Sequence, residues 1–345
     1  MKILILRFSS IGDIVLTTPV VRALHQQIPG AQVHFATKPA YRGLVANNPH
    51  VAKVHCLTGS LGELVAELRA EQFDYIIDLH NNLRTRLLKL RLGVPASSFD
   101  KLNPQKWLLV NLKINRLPAV HIVQRYLAAA APLGVRDDGQ GLDYFIPAQD
   151  EVDVTTALPA GFAAGYVAFA IGAQHATKRL PTERIIELCA QLPGPVVLLG
   201  GPEDQATGDE IVQALQAGLS NSPTHHFTNS PFNACGKFNL NQSASLVRQA
   251  ASVISHDTGL MHIAAAFGKE ITSVWGNTVP EFGMYPYRTP FRVWEVNGLD
   301  CRPCSKIGYA QCPRGHFKCM RDLRFDLTLP LEPGTASRPG RTPAG

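Results

Sequence analysis

Three short segments carry side chains able to hold and activate a phosphorylated substrate. The first is Arg7-Phe8-Ser9-Ser10-Ile11-Gly12-Asp13. Gly12 permits close backbone approach, and Ser9 and Ser10 offer hydroxyls and amides where a helix begins, an arrangement suited to an anion. Asp13 suits the helix N-cap, and it equally suits a general base that takes a proton from a hydroxyl. The second is Gly172-Ala173-Gln174-His175-Ala176-Thr177-Lys178-Arg179-Leu180-Pro181. Its cations and hydroxyl stand just ahead of a proline-started helix, where Lys178 could neutralise a departing phosphate; a solvated basic loop is the plain alternative. The third is His256-Asp257-Thr258-Gly259-Leu260-Met261-His262. Here Asp257 fits an N-cap, Gly259 lets a ligand approach the first turn, and Thr258 and His262 lie four apart on one helical face.

Two further groups are candidates. Within Asp78-Leu79-His80-Asn81-Asn82-Leu83-Arg84-Thr85-Arg86, the side chains of His80, Asn82, Arg84 and Arg86 could grip an anionic or sugar acceptor, although Arg84 and Arg86, two apart, cannot share one helical face. His121 and Arg125, four apart, read as a solvated helix face. Cys301-x2-Cys304-x7-Cys312-x6-Cys319, with His316 as a spare ligand, could wrap a structural zinc; paired disulfides or inert thiols are the alternatives. Four thiolates would leave a catalytic zinc no open position. The first segment is neither G-x-G-x-x-G nor G-x-x-x-x-G-K-[ST], which counts against a dinucleotide dehydrogenase and a P-loop NTPase.

The elements that must position these residues follow from the hydropathy pattern. The chain has 345 residues, 45% hydrophobic and only 17% charged, enough apolar content for two packed domains. Lysine and arginine exceed aspartate and glutamate by six, which favours an anionic partner. No apolar run approaches the 18 or so residues needed to span a bilayer, and the N-terminus lacks a signal-peptide cleavage site, so a cytoplasmic location is expected. Basic residues suit an anionic membrane surface, yet no amphipathic anchor stands out. Short apolar strands alternate with helical periods: strands at 2–8, 32–36, 51–57 and 73–79, with helices at 14–28, 83–92, 105–112 and 121–131. The alternation restarts with strands at 166–171, 196–199, 252–255 and 271–275 and helices at 181–191, 243–250 and 258–267. This predicts an α/β protein with two parallel-sheet domains, 1–155 and 156–327, the second carrying the cysteine cluster at 301–319, and a disordered proline-rich tail at 328–345. Ligands of such domains lie at the carboxyl ends of the strands, which is where the motifs fall.

Taken in order, the Arg7–Asp13 segment, Thr177-Lys178-Arg179-Leu180-Pro181 and Asp257-Thr258-Gly259-Leu260-Met261-His262 resemble the lipopolysaccharide heptosyltransferase family of glycosyltransferases, family 9. Ala264-Ala265-Ala266-Phe267-Gly268-Lys269 and Trp275-Gly276 extend the likeness. The resemblance implies the GT-B fold, two Rossmann-like doubly wound domains facing across a cleft, with acceptor held mostly by the first and nucleotide-sugar by the second. It implies inverting transfer of heptose from ADP-heptose to the lipid A inner core at the cytoplasmic face of the inner membrane. No metal is required for catalysis, and no nucleic acid is involved. By the same resemblance Asp13 is the general base and Lys178 the cation facing the leaving diphosphate. Thr177, Asp257, Thr258, Gly259 and His262 become donor contacts, while Ser9, Ser10, Gly12, His80, Asn82, Arg84 and Arg86 are candidates for acceptor or phosphate. The competing readings are a nucleotide-sugar 2-epimerase of similar architecture and a non-enzymatic nucleotide-binding module.

Overall fold

The first strand, β1 (Lys2–Leu6), is buried on both faces from Ile3 onward, as an unbroken KILIL run in the middle of a parallel sheet must be. This computed structural model describes residues 1–220, 231–328 and 331. From β1 the chain runs through α1 (Ile11–Val15) and α2 (Thr18–Gln27) to β2 (Gln32–Thr37), β3 (Lys53–Cys56), α3 (Leu61–Ala70), β4 (Tyr75–Asp78), α4 (Leu83–Leu92) and β5 (Ala96–Ser98). Next come α5 (Asn103–Trp107), α6 (Ile122–Ala130) and α7 (Val154–Ala157). The second lobe consists of β6 (Val167–Ala170), α8 (Thr182–Gln191), β7 (Val196–Leu199), α9 (Gln205–Ser220), β8 (Phe232–Asn233), α10 (Leu240–Gln249), β9 (Ser252–His256), α11 (Gly259–Ala266), β10 (Ile271–Trp275), β11 (Phe291–Glu295) and α12 (Lys318–Arg321).

The strands form two sheets, ordered β3-β2-β1-β4-β5 and β11-β10-β9-β6-β7-β8, and every pairing is parallel. Both are doubly wound. The strand order reverses between β1 and β4 in one and between β6 and β9 in the other, and a crevice opens outside the carboxyl ends at such a switch point. The Arg7–Asp13, Asp78–Arg86, Gly172–Pro181 and His256–His262 segments follow β1, β4, β6 and β9, so all four flank the two switch points.

Several expectations are corrected. The helix expected over 14–28 is two helices, because Pro19 has no N–H to donate to the Val15 carbonyl; the Thr18 hydroxyl takes that carbonyl instead at 2.8 Å. Asp13 is not the N-cap. Ser10 is, and Asp13, three residues on, completes a capping box. Likewise Thr258, not Asp257, occupies the N-cap position of α11. His121 and Arg125 are not a solvated face: His121 is fully buried and Arg125 is 7% exposed. The His121 ring accepts from the Val123 amide at 3.2 Å and meets the Tyr285 carbonyl at 2.8 Å, and Arg125 donates to the Phe282 carbonyl at 3.0 Å. Both side chains therefore tie α6 to the second lobe. The helix α3 and strands β5 and β11 were not expected; α3 buries Leu64, Val65 and Leu68 on one stripe and is capped by Ser60, whose hydroxyl accepts from Glu63 N at 3.2 Å. The tail expected to be disordered lies outside the described residues apart from Thr328 and Leu331.

The lobes meet where α1 packs on α11. A Cβ on Gly12 would sit 2.5 Å from Cδ2 of His262, and one on Gly259 would sit 2.5 Å from Cγ2 and 2.8 Å from Cβ of Ile11. Only glycine at both positions allows this approach. Gly259→Ala is expected to wedge the lobes apart and cost about 1–3 kcal/mol through overpacking, read as a lowered denaturation midpoint together with an increased radius of gyration in solution scattering.

Candidate active site

Asp13 is built from its own segment. Oδ2 accepts from Ser10 Oγ at 2.9 Å and Ser10 N at 3.3 Å and pairs with the Arg7 guanidinium at 2.6 Å. Oδ1 has only the Tyr126 hydroxyl nearby, at 3.5 Å, so one oxygen keeps capacity for a further donor. The side chain is 19% exposed. Burial acts most strongly on this carboxyl and would raise its pKa, but the Arg7 charge and then the Ser10 bonds outweigh it and hold Asp13 below the ordinary carboxylate range. Asp13 is therefore a carboxylate at neutral pH. Arg7 is in turn fixed by the Ser9 carbonyl at 2.7 Å and the Tyr126 hydroxyl at 3.0 Å.

Across the junction, Lys178 reaches from the loop after β6 to the loop after β9. Its Nζ donates to Asp257 Oδ2 at 2.6 Å and to the Asp257 carbonyl at 3.1 Å, and the Thr278 hydroxyl holds the same carboxylate oxygen at 2.9 Å. Beside this pair α11 begins with no side chain capping it, which leaves its first amides and the positive end of the helix dipole without a side-chain acceptor. His262, 1% exposed, packs against the backbone of α1 at Gly12. Burial pushes its pKa down to about 4, while the charges of Asp257, Asp13 and Lys178 all act on it. Its Nδ1 has no hydrogen-bond partner. A neutral imidazole thus lies within electrostatic reach of a carboxylate of the first lobe and an ammonium of the second.

The other expected residues divide. Ser10 is the cap, Gly12 and Gly259 make the junction, and His80 stands edge-on to Phe8 at 5.8 Å, its pKa lowered to about 4 by burial first and then by Arg7. Asn82 is engaged in capping α4, accepting from Thr85 N at 3.0 Å. Arg84 and Arg86 are exposed on α4. The Thr177 hydroxyl is taken by the backbone of Tyr309, accepting from its N at 2.8 Å and donating to its carbonyl at 3.2 Å, so it anchors the 305–309 loop. The Thr258 hydroxyl lies 3.3 Å from that of Ser255.

Sequence reasoning missed Tyr126, Lys101 and Lys106. Burial lowers the pKa of both lysines, that of Lys106 to about 8, and Asp13 and Lys306 act on each, so both cations stand within electrostatic range of Asp13. Lys101 and Lys106 stand in the segment after β5, a strand the pattern did not reveal, and Tyr126 sits inside an apolar helical stripe that reads as plain core.

Cys301, Cys304, Cys312 and Cys319 are free thiols. Cys301 Sγ stands 3.8 Å from His316 Nε2, and burial, followed by its neighbours Cys301 and Cys312, raises the Cys304 pKa. The donor types suit zinc, but the thiols do not converge as a ligand set. Among the described residues the group whose ligand atoms all lie within 4.8 Å of one another is His34, His55 and Glu71. There His34 Nδ1 and His55 Nε2 satisfy each other at 3.0 Å, and Lys2 and Lys53 hold Glu71, so that network is complete without a metal. A cavity of about 320 Å³ lined by second-lobe residues only, among them Arg179, Thr182, Asp204 and Arg321, lies behind the Lys178 loop.

Two doubly wound parallel-sheet lobes meeting at their strand ends make the GT-B architecture. The family model of glycosyltransferase family 9 (heptosyltransferase) matches residues 61–312. The chain belongs to that family and is an enzyme of glycosyl transfer. It is 28% identical over 355 aligned positions to lipooligosaccharide heptosyltransferase 2 of Haemophilus influenzae, covering 95% of this chain and 97% of the relative. It is 25% identical over 302 positions to lipopolysaccharide heptosyltransferase 2 of Escherichia coli K12, covering 82% and 84%. The solved structure of E. coli ADP-heptose lps heptosyltransferase II shares the fold with a TM-score of 0.67 at 24% identity, over 88% of this chain and 95% of that one.

The Arg7–Asp13 pair gives a titration test. Because the folded Asp13 titrates below the ordinary value of about 3.9, the pair contributes stability above that pH and loses it as pH falls through the lowered value. In Arg7→Met only the Ser10 bonds still oppose burial, so the Asp13 titration, followed by carboxyl carbon NMR, should move upward; an unmoved titration would show that the guanidinium is not what holds it down.

Proposed function

We propose that this enzyme transfers heptose from ADP-heptose to the inner core of lipopolysaccharide, with inversion at the anomeric carbon. The observation that carries the reading is the packing of α1 on α11, which brings Asp13 of the first lobe and Lys178 of the second within electrostatic range of one buried side chain, His262. In the proposed step, Oδ1 of Asp13 takes the proton of the acceptor hydroxyl as that oxygen bonds to the anomeric carbon. The bond from that carbon to the diphosphate breaks on the opposite face, and ADP leaves with the electron pair. Lys178 exchanges Asp257 for the leaving phosphate, and the first amides of α11 offset the remaining charge. Thr258 and Asp257 border the diphosphate, while Gly259 holds the junction against Ile11.

The division of labour follows the lobes, taken as residues 1–155 for the acceptor and 156–327 for the nucleotide-sugar. On the acceptor side, Ser9, Ser10 and His80 join Lys101 and Lys106 in facing a phosphorylated or acidic sugar. Arg84 and Arg86, exposed at the start of α4, remain candidates for an anionic acceptor. The acceptor is carried on a lipid, so the enzyme works in peripheral contact with the cytoplasmic face of the inner membrane. Among the described residues no helix is long and apolar enough to cross a membrane. The step needs no metal. A zinc on Cys301, Cys304, Cys312 and Cys319 would brace the 301–319 loop, which Lys113 grips through the carbonyls of Cys301 at 3.3 Å and Pro303 at 2.7 Å.

Asp13→Ala should lower kcat by about 10²–10⁴-fold while leaving the calorimetric affinity for ADP unchanged, and Lys178→Ala should lower it by about 10²–10³-fold. Full turnover in the first variant removes the base assignment. Incubation with donor alone separates the rival chemistry, since an epimerase alters the sugar and a transferase waits for acceptor. Elemental analysis of the purified protein decides the role of the cysteine loop: thiols that stay apart carry no zinc, whereas about one zinc per chain, with a denaturation midpoint that chelation lowers, would show that they gather into a four-thiolate site.

A further inference from the structure

The helix α4 (LRTRLLKLRL) carries two apolar stripes where a core-packed helix needs one. Thr85, Leu88 and Leu92 turn inward, the first two fully buried and the third packed against the core of the first lobe. Leu83, Leu87 and Leu90, spaced i, i+4, i+7, form a second stripe on the opposite side and are 73%, 40% and 79% exposed. Arg84 and Arg91 flank this stripe on one side and Arg86 on the other, all exposed, and the helix has no acidic residue. Beyond α4 the surface continues in kind. Among the described residues, seven of the twelve exposed large apolar side chains fall between Leu83 and Val120, in a stretch that also exposes Lys113 and Arg116.

We infer that the outer face of α4 docks on an anionic lipid bilayer, with Leu83, Leu87 and Leu90 in the boundary between headgroups and acyl chains and Arg84, Arg86 and Arg91 on the lipid phosphates. An apolar stripe bordered by arginines is the chemistry of a helix lying in the plane of such an interface. Charge decides against a second copy of this chain, because a two-fold contact through this face would set arginines against arginines with no carboxylate to answer them. Position agrees as well. The first turn of α4 stands four residues beyond β4, whose Asp78 pairs in register with Leu6, at the same end of the sheet as Asp13. Docking there brings the acceptor side of the crevice to the membrane. No amphipathic anchor stands out in the sequence, because the outer stripe of α4 is distinguishable only once its inner stripe is seen to be buried. It deepens the membrane contact proposed above and rests on it.

The test uses the full chain and vesicles of phosphatidylcholine with or without phosphatidylglycerol. The protein should float with the anionic vesicles and not with the neutral ones, and Leu83→Gln/Leu87→Gln/Leu90→Gln should bind them about tenfold or more weakly. With acceptor oligosaccharide freed of lipid, the triple variant should keep its kcat and KM; with acceptor embedded in anionic vesicles its KM should rise. As a second probe, tryptophan fluorescence of Leu90→Trp should shift to the blue on addition of anionic vesicles only. Wild-type protein that transfers heptose normally yet ignores anionic vesicles overturns the docking face while leaving the transferase reading intact. Loss of transfer to the lipid-free acceptor in the triple variant would instead place these leucines in the substrate site, and a concentration-dependent dimer that the variant abolishes would make the face an interface between copies; each outcome overturns the inference.

Discussion

Everything in the crevice depends on how closely two helix beginnings approach. Gly12 of α1 and Gly259 of α11 come from different sheets, and neither has room for a methyl group against Ile11 and His262. That contact sets the distance between the two switch points. It also removes water from the floor of the crevice, burying His262 as a neutral imidazole that feels charges from both lobes. Hydrogen bonds farther out keep the approach in register: His121 to the Tyr285 carbonyl, Arg125 to the Phe282 carbonyl and Ile122 N to the Gly283 carbonyl all join α6 to the second lobe.

On either side of the junction each charge is held by a partner of its own lobe. Arg7 restrains Asp13, and Asp257 restrains Lys178. Burial alone would push the Asp13 carboxyl toward its neutral form, so the guanidinium is what preserves a proton acceptor there. A carboxylate held so firmly is a weak base in its ground state. In the proposed reaction it becomes adequate because the acceptor hydroxyl turns acidic as its oxygen bonds to carbon, and because Oδ1 is left open while Oδ2 carries the structural bonds.

Much of the architecture was legible in the sequence because parallel strands buried on both faces leave unbroken apolar runs, as in KILIL and VVLL. Failures have local causes. β5, of sequence ASS, is an edge strand with no apolar signature, and missing it hid the loop that carries Lys101 just beyond. His121 and Arg125 looked like a surface pair because polarity was taken for exposure, whereas both are buried on carbonyls of the other lobe. Asn82 and Thr177 were right in type for ligands, yet their side chains are occupied by the cap of α4 and by the Tyr309 backbone.

By itself the sequence determined which strand ends would carry chemistry, since the motifs stand immediately after apolar runs and that order survives in any doubly wound fold. It also determined the residue types available there: a carboxylate, an ammonium, hydroxyls and glycines. Only the tertiary structure decided which of them meet. Asp13 and Lys178 are 165 positions apart and neither contains information about the other; their common neighbour is set by the packing of α1 on α11. The outward stripe of α4 was decided the same way, because a helix with two apolar faces shows which one is spare only after the other has been buried.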